Sequence, residues 1–124
     1  MPKTSKQTAS NVNDIGILEE RSQDLDGYTA SFCQFREDGD AAPVFRGLPD
    51  DRCQSQHWGY VFSGKVTFRY ADHDEVYEAG DAYYAPPGHI PVVTAGTEVL
   101  EFSPAAEYRL TQEAIARNIA AVRA

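Results

Sequence analysis

Two stretches decide the fold: Asp51-Arg52-Cys53-Gln54-Ser55-Gln56-His57-Trp58-Gly59-Tyr60-Val61-Phe62-Ser63-Gly64-Lys65, and Gly80-Asp81-Ala82-Tyr83-Tyr84-Ala85-Pro86-Pro87-Gly88-His89-Ile90-Pro91. The first reads as a strand that carries polar, metal-competent side chains into a Ser63-Gly64 turn. The second opens at Gly80-Asp81 and closes at Pro86-Pro87-Gly88-His89. Alternate side chains of a strand share one face. Asp51, Cys53, Ser55, His57, Gly59 and Val61 have the same parity. An extended segment over 51–61 therefore points them together into an interior, and the small Ser55 and Gly59 leave space beside His57.

The neighbouring chain supplies more short strands. Tyr28 to Arg36 alternates aromatics with small residues, and Lys65–Tyr70, Glu75–Glu78, Ala82–Ala85, Val92–Thr94 and Glu98–Phe102 follow. Turn signals separate them at Glu37-Asp38-Gly39-Asp40, Ala71-Asp72-His73-Asp74, Ala79-Gly80-Asp81 and Ala95-Gly96. Short strands at roughly 8–12 residue spacing predict a sandwich or barrel. After Pro104 the pattern changes: Ile115, Ile119 and Val122 recur at helical spacing in an Ala-rich segment. This predicts one C-terminal helix over about 107–123, with Thr111 placed to cap a start there. Residues 1–12 are polar and read as a flexible tail, which leaves 13–124 as a single domain.

Composition narrows the function. The chain has 124 residues, enough for one core, and its charge of −8 comes from 19 acidic against 11 basic side chains. Such a balance argues against general nucleic-acid or anionic-membrane surfaces, which demand cationic patches. No apolar run approaches the ~18 residues of a membrane span. The start, Met1-Pro2-Lys3-Thr4-Ser5-Lys6, has no apolar signal core behind its lysines, so a soluble cytoplasmic protein is expected. In that compartment Cys33 and Cys53 are expected to stay unpaired.

The two quoted stretches resemble the two characteristic boxes of the cupin superfamily. That resemblance implies an all-β fold: a double-stranded β-helix, or jelly-roll barrel, here with a C-terminal α-helix. It also implies one metal ion or small molecule held inside. The usual first box reads HxHxxxE with a Gly seven residues beyond the glutamate. Aligned on Gly64, those ligand positions fall on Asp51, Cys53 and His57, so this chain reads DxCxxxH. A carboxylate, a thiolate and an imidazole are all metal ligands. The usual second box reads GDxxxxPxGxxH. Gly80, Asp81, Pro86 and Gly88 match, but Pro91 occupies the histidine position and offers no ligand atom. His89 keeps its strand parity, displaced by ~6.6 Å. The expected metal set is therefore Cys53, His57 and His89, with Asp51 as a weaker fourth. Soft thiolate with imidazole favours zinc or iron over magnesium or calcium.

Other residues carry weaker signals. Glu101 shares a face with Val99 and is a ligand or general base if that face is internal; on the solvent face it is neither. Tyr60 is a weak catalytic candidate, and Tyr84 and Arg46 are weak substrate-binding candidates, each with a packing or surface reading beside it. Trp58 has the parity opposite to His57 and should pack outside, under the helix or against the second copy of a homodimer. His73 reads as an exposed turn residue. The functional expectation is a metal-dependent enzyme that takes a small-molecule ligand. A non-catalytic binding or sensing module, and a structural barrel without metal, are the alternatives, because fold analogy does not choose chemistry.

Overall fold

The computed structural model describes residues 3–123. Ten strands and one helix follow in order: β1 (Asn11–Asp14), β2 (Leu18–Leu25), β3 (Tyr28–Phe35), β4 (Gly39–Asp40), β5 (His57–Ser63), β6 (Lys65–Arg69), β7 (Asp74–Glu78), β8 (Ala82–Ala85), β9 (Ile90–Val93), β10 (Glu98–Pro104) and α1 (Ala105–Arg123). They form a six-stranded sheet in the order β1-β2-β3-β10-β5-β8 and a four-stranded sheet in the order β4-β9-β6-β7. All pairings between these strands are antiparallel. The expected all-β jelly roll with a C-terminal helix is present, built as two facing sheets.

Alternation explains the packing. Val61 and Tyr83 from the large sheet meet Val66, Phe68 and Val93 from the small one, with Cys33, Ala85 and Val99 completing a single apolar cluster. The β5–β6 turn needs Gly64, which takes φ 78° with Thr97 against it; a Cβ there would collide with the Thr97 backbone.

Three sequence expectations are corrected. Of the stretch expected as a flexible tail over 1–12, residues 1 and 2 lie outside the described residues, Asn11 and Val12 belong to β1, and Lys6 pairs with Glu98 at 3.1 Å. Its partner β2, Leu-Glu-Glu-Arg-Ser-Gln-Asp-Leu, was not read as a strand because it lacks apolar alternation. Its inward positions carry Glu20 and Ser22, both buried. The helix begins at Ala105, directly from β10, so Thr111 lies within it and caps nothing. Two contacts settle that start: the Ala105 N–H donates to the Gly27 carbonyl, and the Glu107 carboxylate receives the Gln56 N–H at 2.9 Å. A first-turn acid is favoured by the helix dipole.

Candidate metal centre and cavity

Cys53, His57 and His89 are brought together by backbone pairing. Cys53 lies just before β5 and bridges to His89: its N–H donates to the His89 carbonyl at 2.9 Å, and its carbonyl accepts from Gly88 N–H at 2.8 Å. His57 opens β5 on the same parity. One ligand atom from each residue falls within 4.8 Å of the others, and all three residues are buried. Cys53 Sγ lies 3.7 Å from His57 Nε2. That spacing falls within the roughly 3.3–3.8 Å between donors of a tetrahedral ion bonded at about 2.0–2.3 Å.

The histidine surroundings fix the ring nitrogens. His57 Nδ1 is 2.6 Å from the buried Ser103 hydroxyl, which leaves Nε2 facing Cys53. His89 Nδ1–H donates to the Pro86 carbonyl at 2.8 Å, which leaves Nε2 as the lone-pair nitrogen. His89 is 0 % exposed, and its Nε2 has no hydrogen-bond partner. A buried polar atom left unpaired is costly, so such an atom calls for an explanation. Burial in the aromatic surroundings of Phe68 and Tyr70, with His57 adjacent, lowers the His89 pKa to about 4. Desolvation lowers His57 to about 4 as well. Both rings are thus neutral near pH 7, the form that ligates metal. Burial raises the Cys53 thiol to about 11, and a bound cation would reverse that, since a coordinating thiol is deprotonated. Thr111 Oγ1 sits 3.3 Å from the sulfur. The donor chemistry, the spacing and the orphaned nitrogen all fit a metal ion.

Asp51 does not join this group. Residues Pro49–Asp51 form a 3-10 turn in which Asp50 and Asp51 have φ 57° and 56°, so the chain is not extended there. The exposed Asp51 carboxylate accepts instead from Gly47 N–H at 3.0 Å. Tyr60 and Tyr84 point outward and are 41 % and 43 % exposed. Tyr84 bonds the Gln56 side chain at 2.8 Å. Strand parity places them there, opposite to His57 and Tyr83. Arg46 is also exposed, at the end of a 3-10 turn, with its carbonyl bonded to Asn118.

Glu101 does face inward. It is aligned with Gly59 on β5, which in turn is aligned with Tyr83 on β8. The Tyr83 ring crosses Gly59, where any Cβ would collide with it, and its hydroxyl donates to Glu101 at 2.5 Å. Desolvation raises the Glu101 pKa, and the Tyr83 bond partly offsets this. Glu101 Oε1 also lies 3.9 Å from His57 Nδ1.

Sequence reasoning missed Glu20, Ser103, Thr111 and Tyr108. Ser103 carried a usable signal, since it shares parity with Val99 and Glu101. Glu20 carried none: an acid in a polar strand is ordinarily solvated. All except Ser103 line a cavity of about 190 Å³ between the sheets and α1, together with the three candidate ligands and Glu101.

Neither a family model nor a curated protein matches the chain. Solved structures do. An RmlC-like cupin from Shewanella frigidimarina aligns with a TM-score of 0.55 at 21% identity, covering 82% of this chain and 88% of that one. A protein of unknown function from Rhizobium leguminosarum gives 0.60 at 14%, covering 83% and 95%. The polyketide cyclase RemF from Streptomyces resistomycificus gives 0.59 at 16%, covering 84% and 79%. Identities this low speak to architecture alone, and with the two-sheet topology they give one conclusion: this chain has the cupin fold.

Proposed function

We propose that the protein binds one divalent transition metal, zinc or iron, through Cys53, His57 and His89, and acts on a small molecule held in the adjoining cavity. The observation that carries this reading is the buried, unpartnered His89 Nε2 beside a thiol and a second neutral imidazole. Three protein ligands leave a position for water or substrate, the arrangement of catalytic rather than closed structural sites. When bound, the ion would act as a Lewis acid toward a ligand in the cavity. Ser103 would hold the His57 ring, and the Pro86 carbonyl would hold the His89 ring. Glu101, its carboxyl pKa raised by burial and its side chain oriented by Tyr83, is the group suited to carry a proton beside the ligands. The polyketide cyclase among the similar folds is compatible with catalysis on a small organic substrate. Both cysteines are free and buried, which suits a cytoplasmic protein.

Elemental analysis of purified protein tests the metal. About one equivalent of zinc or iron is expected, since a three-ligand Cys/His group is a one-ion site. Cys53→Ala and His57→Ala should each remove most of it. Stoichiometric metal in the double variant would sink the assignment.

The reading includes a homodimer. The outward positions of β3, β10, β5 and β8 hold Tyr28, Phe32, Leu100, Phe102, Trp58, Tyr60, Phe62 and Tyr84, with Glu98 as the one charge, at the edge. An aromatic face with a single charge at its edge, on a chain of charge −8, suits a second copy of itself, because two such faces can meet with little stacking of like charges.

A further inference from the structure

The cavity has a second polar end that the metal centre does not use. Glu20, on the inward face of β2, is 7 % exposed. Its Oε1 accepts from the Tyr108 hydroxyl of α1 at 2.6 Å, and its Oε2 accepts from the Cys33 thiol at 3.5 Å. Ser31 lies beside Glu20 and Tyr108, 1 % exposed, near enough to interact with both while its Oγ meets full hydrogen-bond geometry with neither. Among the described residues, Ser31 Oγ and His89 Nε2 are the two buried side-chain atoms left unpaired. One marks the metal end and the other marks this cluster.

The cavity lining sets the ligand class. Among the described residues no Lys or Arg side chain lines the cavity, whereas Glu20, Glu101 and Asp40 do. The remaining surface is mainly apolar, with Ile15, Ile17, Phe35 and Ile115 among its residues. At the Glu20 end an anionic group would find no protein cation, and the desolvation of an unpaired charge is expensive. An ammonium can only donate, so it could not accept from the Tyr108 hydroxyl, and the Glu20 oxygens already accept from Tyr108 and Cys33. A hydroxyl differs, since it both donates and accepts. It therefore matches Glu20 and Tyr108, both of which line the cavity, whichever of them holds the proton. At about 190 Å³ the cavity exceeds the roughly 150 Å³ that admits benzene in an apolar core.

Resting on the small-molecule reading above, we infer that the cavity takes an uncharged, ring-sized apolar molecule bearing a hydroxyl, and that Glu20 and Tyr108 anchor that hydroxyl. The metal then faces the part of the ligand remote from this anchor.

The test uses four probes of one shape on the full chain in buffer with chelator, so that no bound metal draws the carboxylate: toluene, benzyl alcohol, benzoate and benzylamine, with affinities measured by calorimetry. Benzyl alcohol should bind roughly 3- to 10-fold tighter than toluene, the worth of one net hydrogen bond. Benzoate and benzylamine should bind more weakly than the alcohol. Glu20→Leu and Tyr108→Phe should each shrink the preference for alcohol over toluene, while toluene binding reports that the cavity is intact; Tyr108→Phe carries the test if Glu20→Leu does not fold. Either ion binding as tightly as the alcohol would overturn the inference. So would an unchanged preference in the folded variants. Toluene binding without any preference for the alcohol would overturn it and leave a small-molecule cavity standing. Failure of all four probes would overturn both readings. The metal reading is judged separately, by metal content.

Discussion

The two faces of the six-stranded sheet invert the usual division between core and surface. Its inward face carries Glu20, Ser31, His57 and Glu101, groups that normally seek water. Its outward face carries Tyr28, Trp58, Tyr60, Phe62, Tyr84 and Phe102, each between 39 and 48 % exposed. The four-stranded sheet behaves conventionally, with Val66, Phe68 and Val93 buried. The apolar layer that holds the fold is shared: the small sheet supplies Val66, Phe68 and Val93, and the large sheet supplies Val61, Tyr83, Ala85 and Val99. The large sheet places its polar groups beside that layer and an aromatic surface outside. Within it, buried polar groups are tolerated because most are paired: Tyr83 with Glu101, Tyr108 with Glu20, Ser103 with His57.

The largest test of this contrast uses two phenylalanines of adjacent strands. Phe68→Ala, at a site 2 % exposed, should cost about 3–5 kcal/mol, the range for emptying a packed aromatic site. Phe62→Ala, at 48 % exposure, should change monomer stability by no more than about 0.5 kcal/mol. Urea unfolding at low protein concentration measures both. Equal losses would mean that the outward face is structural in the monomer and would remove the contrast.

Acid should act through the inward face. His57 and His89 take up protons in the unfolded chain below about 6.5 but in the folded chain only near 4. Their folded pKa values are depressed, so the stability they allow is full above pH 6.5 and is lost between 6.5 and 4. The slope is about 1.4 kcal/mol per pH unit for each histidine. Glu20 and Glu101, raised by burial, act in the opposite sense above 4.5, where the unfolded chain ionises them first. The histidine contribution is therefore read as a difference. In buffer with chelator, His89→Gln should lose up to about 3 kcal/mol less than wild type on going from pH 6.5 to 4. Identical pH profiles would show that His89 is not held neutral.

The outward face should respond to charge instead. Trp58, 5.1 Å from Tyr84 and 6.2 Å from Tyr28 between ring centroids, lies at the middle of the aromatic patch. Trp58→Lys should weaken self-association by roughly 30-fold or more, the effect of losing a hot spot of about 2 kcal/mol. Sedimentation measures it. Wild type that stays monomeric at high concentration would remove the homodimer from the reading.

This contrast also explains what was legible in the sequence. Strand parity and turn chemistry sufficed for β5 to β10, because there inward and outward positions differ in type and Gly or Pro marks the ends. Parity likewise aligned Cys53 with His57, and Gly-His kept His89 on the ring. It failed at Asp51, where two left-handed residues end the extension, a backbone choice that Asp-Asp does not announce. It failed again at β2, whose inward Glu20 and Ser22 look like solvated residues; only the finished cavity makes them internal. The weak candidates Tyr60, Tyr84 and Arg46 were proposed on side-chain chemistry alone, and parity or local turn geometry put all three outside.

The smallest expected effect tests how the inward polar groups hold one another. Tyr83→Phe removes only the hydroxyl that donates to Glu101 at 2.5 Å, and the ring can keep its place over Gly59. The loss should be about 1 kcal/mol, the net worth of one hydrogen bond. Its direction at Glu101 is fixed. The Tyr83 bond lowers that carboxyl's pKa against the desolvation that raises it, so losing the bond must move the titration of Glu101 to higher pH. Carbon-13 shifts of the Glu101 side chain across a pH series read that movement directly. A stability loss without it would mean that Tyr83 serves as packing and leaves the carboxyl to its surroundings. A shift to lower pH would mean that the hydroxyl does not donate to the carboxylate at all, and Glu101 would lose its place as the proton carrier beside His57.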